Sequence, residues 1–299
     1  MFDSRDPRAT LAPPAPVSSV ASAAGYIRFY SEPPADSDDL IKTWYARGQN
    51  FVLAFSEARA GASLRRVDQP DEYVVLLPDR ASGAEIITPR ERVSVAGHHL
   101  AIVPPGDSEV RVVAGGRLIR VLSLRSADLA AKAANAADYA ADHAEVAPFE
   151  PWPAPPDGYR VRTYDLDVPD EPGRFGRIWR CSTVMVNWND PRPGPRDTSR
   201  MSPHSHPDFE QCSLVLEGEY VHHLRWPWTT NLAEWRKDDH ERIGSPSVTV
   251  IPPPTIHTSQ AIAPGDNQLI DIFCPPRVDF SLKPGWVLNA DEYPMSPLG

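Results

Sequence analysis

The stretch 203–218 contains the feature that most constrains how this chain can fold. Two histidines one residue apart, His204 and His206, are followed by Gln211 and then by Gly218. Because side chains alternate along a strand, both imidazoles project from the same face if this stretch is extended. Two neighbouring imidazoles and a polar residue that enters the next strand form three sides of a metal site. The stretch therefore predicts strands that converge on one ion, with a further ligand supplied from elsewhere.

A second stretch, 250–257, supplies that ligand, because an apolar run stops at three prolines and then delivers His257. The two stretches together resemble the two motifs of the cupin family. The first motif is HxH followed by Glu or Gln and then Gly, and the second is Pro-x-Gly-x-x-His, with Pro254 here in place of the usual Gly. The resemblance covers roughly residues 160–280, and two motifs in the right order are far more specific than a lone HxH. It implies a jelly-roll barrel that binds one divalent metal ion, with Fe, Mn, Ni and Zn all suited to the ligands. The metal ligands it implies are His204, His206, Gln211 and His257.

The choice of Gln211 over its neighbour Glu210 depends on spacing and on alternation. Six residues separate Gln211 from Gly218, as in the family motif, whereas seven follow Glu210. Alternation places Gln211 on the same strand face as Ser213, with Glu210 on the other face. We expect Gln211 to be the ligand, and a neutral ligand leaves the ion a stronger Lewis acid than a carboxylate would.

Composition limits the partners and the compartment. The net charge is −10, which argues against nucleic-acid and anionic-membrane partners, since both require basic patches. No apolar run approaches a membrane span, and the three cysteines are widely spaced, which favours reduced core thiols in the cytoplasm. We expect a cytoplasmic protein whose partner is a small-molecule substrate. Homo-oligomerisation is compatible with the composition.

The fold class that we predict is all-β, with two jelly-roll (cupin) barrels in one chain and a short helical linker. Many prolines and glycines separate short runs of β-branched residues, and this pattern supports an all-β class. The predicted segments are a flexible arm (1–20), a degenerate metal-free cupin domain (21–125), a linker with a short helix (126–158) and the metal-binding cupin domain (159–299). The arm could instead order against a second subunit, and the alanine-rich helix could instead be a dimer contact.

The first half contains no intact ligand set of the same kind. When the first half is aligned with the two motifs, the residues at the ligand positions are Val67, Gln69, Glu72 and Glu109. Valine cannot bind a metal and no histidine remains at these positions, so we expect a structural role for this half. A regulatory ligand pocket is the alternative.

Other residues of the second half are candidates for contact with substrate. Tyr220 and His222 alternate on the strand that leaves the first motif, so both can face the barrel interior. Asp271 and Arg277 come from a later strand, and with Phe273 they resemble the pattern of small cupins that linearise unsaturated uronates. A carboxylate near a metal among apolar walls is a candidate acid or base; a structural role is the alternative.

Two loops near these strands contain charged or aromatic residues that are candidates for contact with a ligand or a partner. Arg192, Arg196 and Arg200 in the loop before the first motif could bind an anionic substrate or could be solvated. The tryptophan-rich insertion at 225–240 could be a lid or a subunit contact.

The sequence favours a metal-dependent enzyme of the isomerase or lyase type that acts on a small oxygen-rich acid. Under this hypothesis Asp271 moves a proton, and Tyr220, His222 and Arg277 are further candidate catalytic residues. A non-haem iron dioxygenase and a non-catalytic small-molecule binder are the alternatives.

Overall fold

The computed structural model describes residues 21–295 and consists mainly of β-strands, so the expectation of an all-β chain is confirmed. The predicted arm at residues 1–20 lies outside the described residues. The strands are β1 (Gly25–Ile27), β2 (Asp36–Ser37), β3 (Ile41–Arg47), β4 (Phe51–Ala58), β5 (Ser63–Gln69), β6 (Tyr73–Leu77), β7 (Gly83–Ile87), β8 (Arg92–Ala96), β9 (His99–Val103), β10 (Gly106–Ala114), β11 (Gly116–Ser123), β12 (Arg162–Asp165), β13 (Arg177–Arg180), β14 (Met185–Trp188), β15 (Arg192–Pro193), β16 (Gln211–Glu217), β17 (Tyr220–Arg225), β18 (Asp239–Ile243), β19 (Ser247–Ile251), β20 (Ile256–Ala261) and β21 (Asp266–Phe273). The helices are α1 (Ala127–Ala130) and α2 (Val278–Ser281), with 3₁₀ turns at Ala136–Tyr139, Thr198–Arg200 and Leu232–Glu234.

The chain forms two compact units, and each is assembled from separate segments. The described segments of the first unit are 21–30, Asp142–Ala147 and Pro191–Leu269. Those of the second unit are Ser31–Ala141, Pro148–Asp190 and 270–295. The predicted linker, 126–158, contains α1 and one 3₁₀ turn. The boundaries at residues 125 and 159 remain a prediction.

The first unit is built on two groups of antiparallel strands. Strand β19 lies between β1 and β16, while β17 lies between β18 and β20. A small apolar cluster formed by Val215, Tyr220 and Ile243 packs with Leu269. This framework fixes the ends of β16 and β20, where the two sequence motifs lie.

The second unit contains two sheets that share one apolar core. The larger sheet has the strand order β12-β9-β6-β11-β4-β3-β2, and the smaller has the order β5-β10-β7-β8. The core draws Val75 and Leu118 from the larger sheet and Ile86 and Val110 from the smaller one. Alternating apolar residues on both sheets produce this shared interior.

The run at 178–187 forms a hairpin in the second unit. Strands β13 and β14 pair antiparallel, and the backbone N–H of Cys181 donates to the carbonyl of Val184 in the turn between them. All three cysteines are buried and unbridged. Among residues 21–295, the helices are too short to cross a membrane.

Candidate metal centre

Three histidines converge in the first unit. His204 and His206 lie on the segment that enters β16, and His257 is the second residue of β20. Their ligand nitrogens all lie within 4.8 Å of one another, and their ring centroids are 4.5–5.1 Å apart. Two ligands on opposite sides of one ion, each at about 2.1 Å, are about 4.2 Å apart. The cluster is therefore close to the size that one divalent ion requires.

Backbone hydrogen bonds hold two of these histidines together. The N–H of His204 donates to the carbonyl of His257 at 3.1 Å, and the reverse bond measures 2.8 Å. Each ring also has its Nδ1 beside a nearby carbonyl: His204 at 3.0 Å from Ser202 and His257 at 2.9 Å from Thr255. With the proton on Nδ1, the Nε2 lone pair of each ring is left for a metal.

The side chain of Gln211 adds an oxygen to the three imidazoles. Its Oε1 lies 2.9 Å from Nε2 of His206 and 3.2 Å from Nε2 of His257. Its amide nitrogen donates to the Ser213 hydroxyl at 3.0 Å, which turns the oxygen towards the histidines. Adjacent ligands around an ion at about 2.1 Å are about 3.0 Å apart, so these separations match those of a ligand set.

Glu210 occupies a different environment from Gln211. It is buried, and its carboxylate lies 4.0 Å from Nδ1 of His143. The ring of His206 stacks on Phe209 with centroids 4.5 Å apart, which fixes the imidazole plane. These positions support the choice of Gln211 as the ligand, and that choice remains a prediction.

The predicted pocket residues Tyr220 and His222 are both buried on β17. The Nδ1 of His222 lies 2.8 Å from the Ser259 hydroxyl, while its Nε2 has no hydrogen-bond partner within the described part of the chain. Burial, together with the nearby His257 and His223, lowers the pKa of His222 to about 3, so this imidazole is neutral near pH 7. A buried ring nitrogen without a partner is unusual in a folded protein and is a candidate contact for a polar ligand.

Asp271 and Arg277, unlike the histidines, belong to the second unit. Asp271 is half-buried on β21 and lies opposite Asn187 of β14. Arg277 is buried, donates to Asp279 at 2.6 and 3.0 Å, and places its guanidinium 3.6 Å from the ring centre of Phe280. These contacts of Arg277 are local, and the catalytic roles of both residues remain predictions.

The loop at 189–201 and the tryptophan-rich insertion at 225–240 have definite local structures. Arg196 donates to the carbonyl of Ser259, on the strand that carries His257, whereas Arg192 is exposed. In the insertion, Trp228 and Trp235 stack at 4.4 Å with an interplanar angle of 7° and both are exposed. A lid and a subunit contact are both compatible with this exposed pair.

In the first half, the residues that align in sequence with the metal ligands do not lie together in the structure. Val67 is 72% exposed, and Glu109 accepts hydrogen bonds from Ser63 and Arg111. Glu72 is fully buried in a different network, with Ser182 and Tyr293 (2.6–3.1 Å). The residues of the first half that align with the ligands therefore form no common site among the described residues.

Strand pairing relates other positions of the two units. The bridge between His204 and His257 in the first unit corresponds to the pairing of Arg66 with Ser108 on β5 and β10 in the second. Tyr73 begins β6 as Gln211 begins β16, and these strands pair with β9 and β19 respectively. The sequence signal was hidden because arginine, serine and tyrosine do not resemble metal ligands.

The comparisons with known proteins concern the fold. No family model matches the chain, and no curated protein matches it. Among solved structures, AerE from Microcystis aeruginosa is 10% identical with a TM-score of 0.52, and the match covers 87% of this chain and 100% of that chain. Two mutants of oxalate decarboxylase from Bacillus subtilis are 12% identical with TM-scores of 0.57 and 0.58, covering 94% of this chain and 86% of theirs. This likeness supports the cupin fold that the two motifs imply.

Proposed function

We propose that this chain is a metal-dependent enzyme of the cupin type that acts on a small oxygen-rich acid by isomerase or lyase chemistry. The observation that carries the proposal is the convergence of His204, His206 and His257 with the Gln211 oxygen 2.9 and 3.2 Å from two of their Nε2 atoms. Four neutral ligands from rigid strand ends form a preorganised site. Such a set leaves coordination positions for an oxygen ligand from substrate or solvent.

The four ligands would hold one divalent ion, and imidazole suits iron, nickel, manganese and zinc alike. A bound ion would supply Lewis-acid polarisation of a substrate carbonyl or enol. Manganese is favoured by one finding only: a solved structure of Bacillus subtilis oxalate decarboxylase is described by its Mn(II) centres. The Nδ1 contacts of His204 and His257 with backbone carbonyls keep both rings in the tautomer that can bind an ion.

His222 is the residue of the first unit best suited to orient a substrate. Its Nε2 is buried without a described partner, and its neutral ring can donate or accept one hydrogen bond. Tyr220 lies on the same face of β17, with ring centroids 6.4 Å apart. A polar substrate oxygen bound to His222 would satisfy a group that is otherwise costly to bury.

Asp271 is proposed to move the proton. Alternation along β21 places Asp271 on the same strand face as Leu269 and Phe273, and its carboxylate is half-buried. A partly buried carboxylate is a candidate acid or base. Arg277 is proposed to bind a substrate carboxylate through its planar guanidinium.

The test measures turnover and metal content together. Purified protein is assayed for metal, for oxygen uptake and for conversion of a panel of sugar acids and small dicarboxylates that includes oxalate. Asp271→Asn should lower turnover by about 10²–10⁴-fold with unchanged metal content. Asp266→Asn, an exposed change on the same strand, is the matched control.

The other outcomes identify the alternatives. Oxygen consumption with substrate, together with a mild effect of Asp271→Asn, would replace the proposal with a dioxygenase. Saturable binding of a panel member without turnover would replace it with a non-catalytic binder. A protein that retains no divalent metal would refute all metal-dependent versions.

A further inference from the structure

The interior of the second unit contains a buried arginine that none of the chemistry above uses. Arg120 is 3% exposed on β11 and lies opposite Ala54 of β4 and Val75 of β6. Directly opposed residues share a sheet face, and Ala54 and Val75 both belong to the apolar core between the two sheets. The guanidinium of Arg120 therefore enters that core.

This guanidinium lacks a carboxylate partner, and the group that hydrogen-bonds to it is the neutral hydroxyl of Tyr45. Within residues 21–295 its Nε has no hydrogen-bond partner and no carboxylate forms an ion pair with it. Arginine remains charged even where burial lowers its pKa, as it does here. Since an unpaired buried charge is costly, this position indicates a counter-charge that the chain itself does not provide.

The charged groups that face Arg120 are already paired elsewhere. Arg66 donates to the Asp128 carboxylate at 2.6 and 3.0 Å. The carboxylate of Asp36 accepts from Lys132 at 2.7 and 2.9 Å and from the Tyr45 hydroxyl. The net result is one positive charge without a counter-ion, that of Arg120.

Neutral hydroxyl groups surround this charge. Tyr45 lies in the same row of the sheet, across Ala54 from Arg120. The Tyr73 hydroxyl lies 2.9 Å from that of Ser108, and both Arg120 and Arg66 act electrostatically on Tyr73. Tyrosine and serine hydroxyls can donate to an oxyanion, as a guanidinium can.

Tyr73 and Ser108 correspond by strand pairing to Gln211 and His257 of the first unit. Arg120 is on β11, which pairs with β4 as β21 pairs with β14. The remnant of the metal site in the second unit thus combines an unpaired arginine with hydroxyl donors. This combination repels a cation and attracts an anion.

We infer that the interior of the second unit binds the carboxylate of a small organic acid, with Arg120 as the charged anchor and Tyr73 and Ser108 as hydroxyl donors. A single carboxylate charge neutralises Arg120, whereas a doubly charged phosphate would leave one negative charge buried. The small side chains of Ala54 and Ala101 lie in the same row of the sheet and limit crowding around the guanidinium.

The test is a calorimetric titration of the full chain with acetate and, separately, with inorganic phosphate, both against sodium chloride. Acetate has few atoms, so an affinity in the millimolar range is expected at a stoichiometry of one. Arg120→Met should remove saturable acetate binding. Arg65→Met, a change at an exposed arginine of β5, should leave it unchanged.

Further variants separate this site from the metal centre and from misfolding. His206→Ala should retain acetate binding, because the anchor is in the other unit. Arg120→Lys keeps the charge but loses the planar fork, so acetate should bind at least about 10-fold more weakly. If Arg120→Met does not fold, the affinity of Arg120→Lys for acetate decides whether the guanidinium is the anchor.

Three results would overturn the inference. They are the absence of saturable acetate binding, binding that persists in the folded Arg120 variants, and binding that disappears in His206→Ala. Preferential binding of phosphate through Arg120 would overturn the assignment to a carboxylate.

Discussion

Replacement of Gln211 by alanine should weaken metal binding, and the structure suggests by how much. The Gln211 oxygen lies 2.9 and 3.2 Å from two histidine Nε2 atoms, close to the roughly 3.0 Å between adjacent ligands at bond lengths of about 2.1 Å. Loss of a residue that only supports a ligand costs about 10–100-fold in affinity. Loss of a direct ligand should therefore cost at least about 100-fold in affinity, or about 2.8 kcal/mol at 1.4 kcal/mol per decade.

Two neighbouring substitutions calibrate this value. Ser213→Ala removes the hydroxyl that accepts from the Gln211 amide, so the oxygen is retained but is less well oriented. Its effect should lie within the 10–100-fold range of supporting groups. Glu210→Ala should leave metal affinity unchanged, because the Glu210 carboxylate lies beside His143.

The assay is competition of each variant with a chromophoric chelator for Zn²⁺ and Mn²⁺ at neutral pH, with circular dichroism to verify folding. The expected order of affinity is wild type equal to Glu210→Ala, then Ser213→Ala, then Gln211→Ala. A folded Gln211→Ala protein with wild-type affinity would show that the amide oxygen is not a ligand. A loss of affinity confined to Glu210→Ala would transfer that role to the carboxylate.

The remaining predictions concern metal content, folding and pH. His206→Ala should lose the bound metal while the exposed His240→Ala keeps it, as measured by elemental analysis; equal metal content would contradict the site. Gly218→Ala should destabilise the fold by about 2 kcal/mol or more, because Gly218 has a φ of +80° and an added Cβ would collide with the Asn267 side chain. An unchanged unfolding midpoint in urea would contradict this prediction. Burial raises the pKa of Glu72 above its ordinary 4.5, so its contribution to stability is full below about pH 4.5 and is lost as pH rises through the folded pKa. Glu72→Gln should flatten the loss of stability over that pH window, and parallel pH profiles of wild type and variant would contradict the assignment.

Both metal-site motifs could be predicted because their geometry is local. The alternation of a strand places His204 and His206 together, and a proline turn delivers His257 at the next strand. The preference for Gln211 over Glu210 also follows from spacing and alternation alone. The all-β class follows from short β-branched runs between proline and glycine breakers, since the backbone N–H and C=O groups of such runs find hydrogen-bond partners by pairing with other strands.

Strand pairing across long sequence separations could not be predicted. The composition of the second unit, in which 148–190 and 270–295 join Ser31–Ala141, depends on contacts that no local pattern specifies. For the same reason, the residues of the first half that align with the ligands in sequence do not lie together, because a shift of one residue in register moves every side chain to the other face.

The sequence by itself determined which residues can bind a metal, because ligand chemistry and strand periodicity are both properties of neighbouring residues. Only the tertiary structure decided which buried groups are left without partners. In the sequence alone, Arg120 lies in an ordinary strand-like run and His222 is one of two adjacent histidines. Whether such a side chain is satisfied depends on every element packed around it, and this is fixed only when the strands assemble.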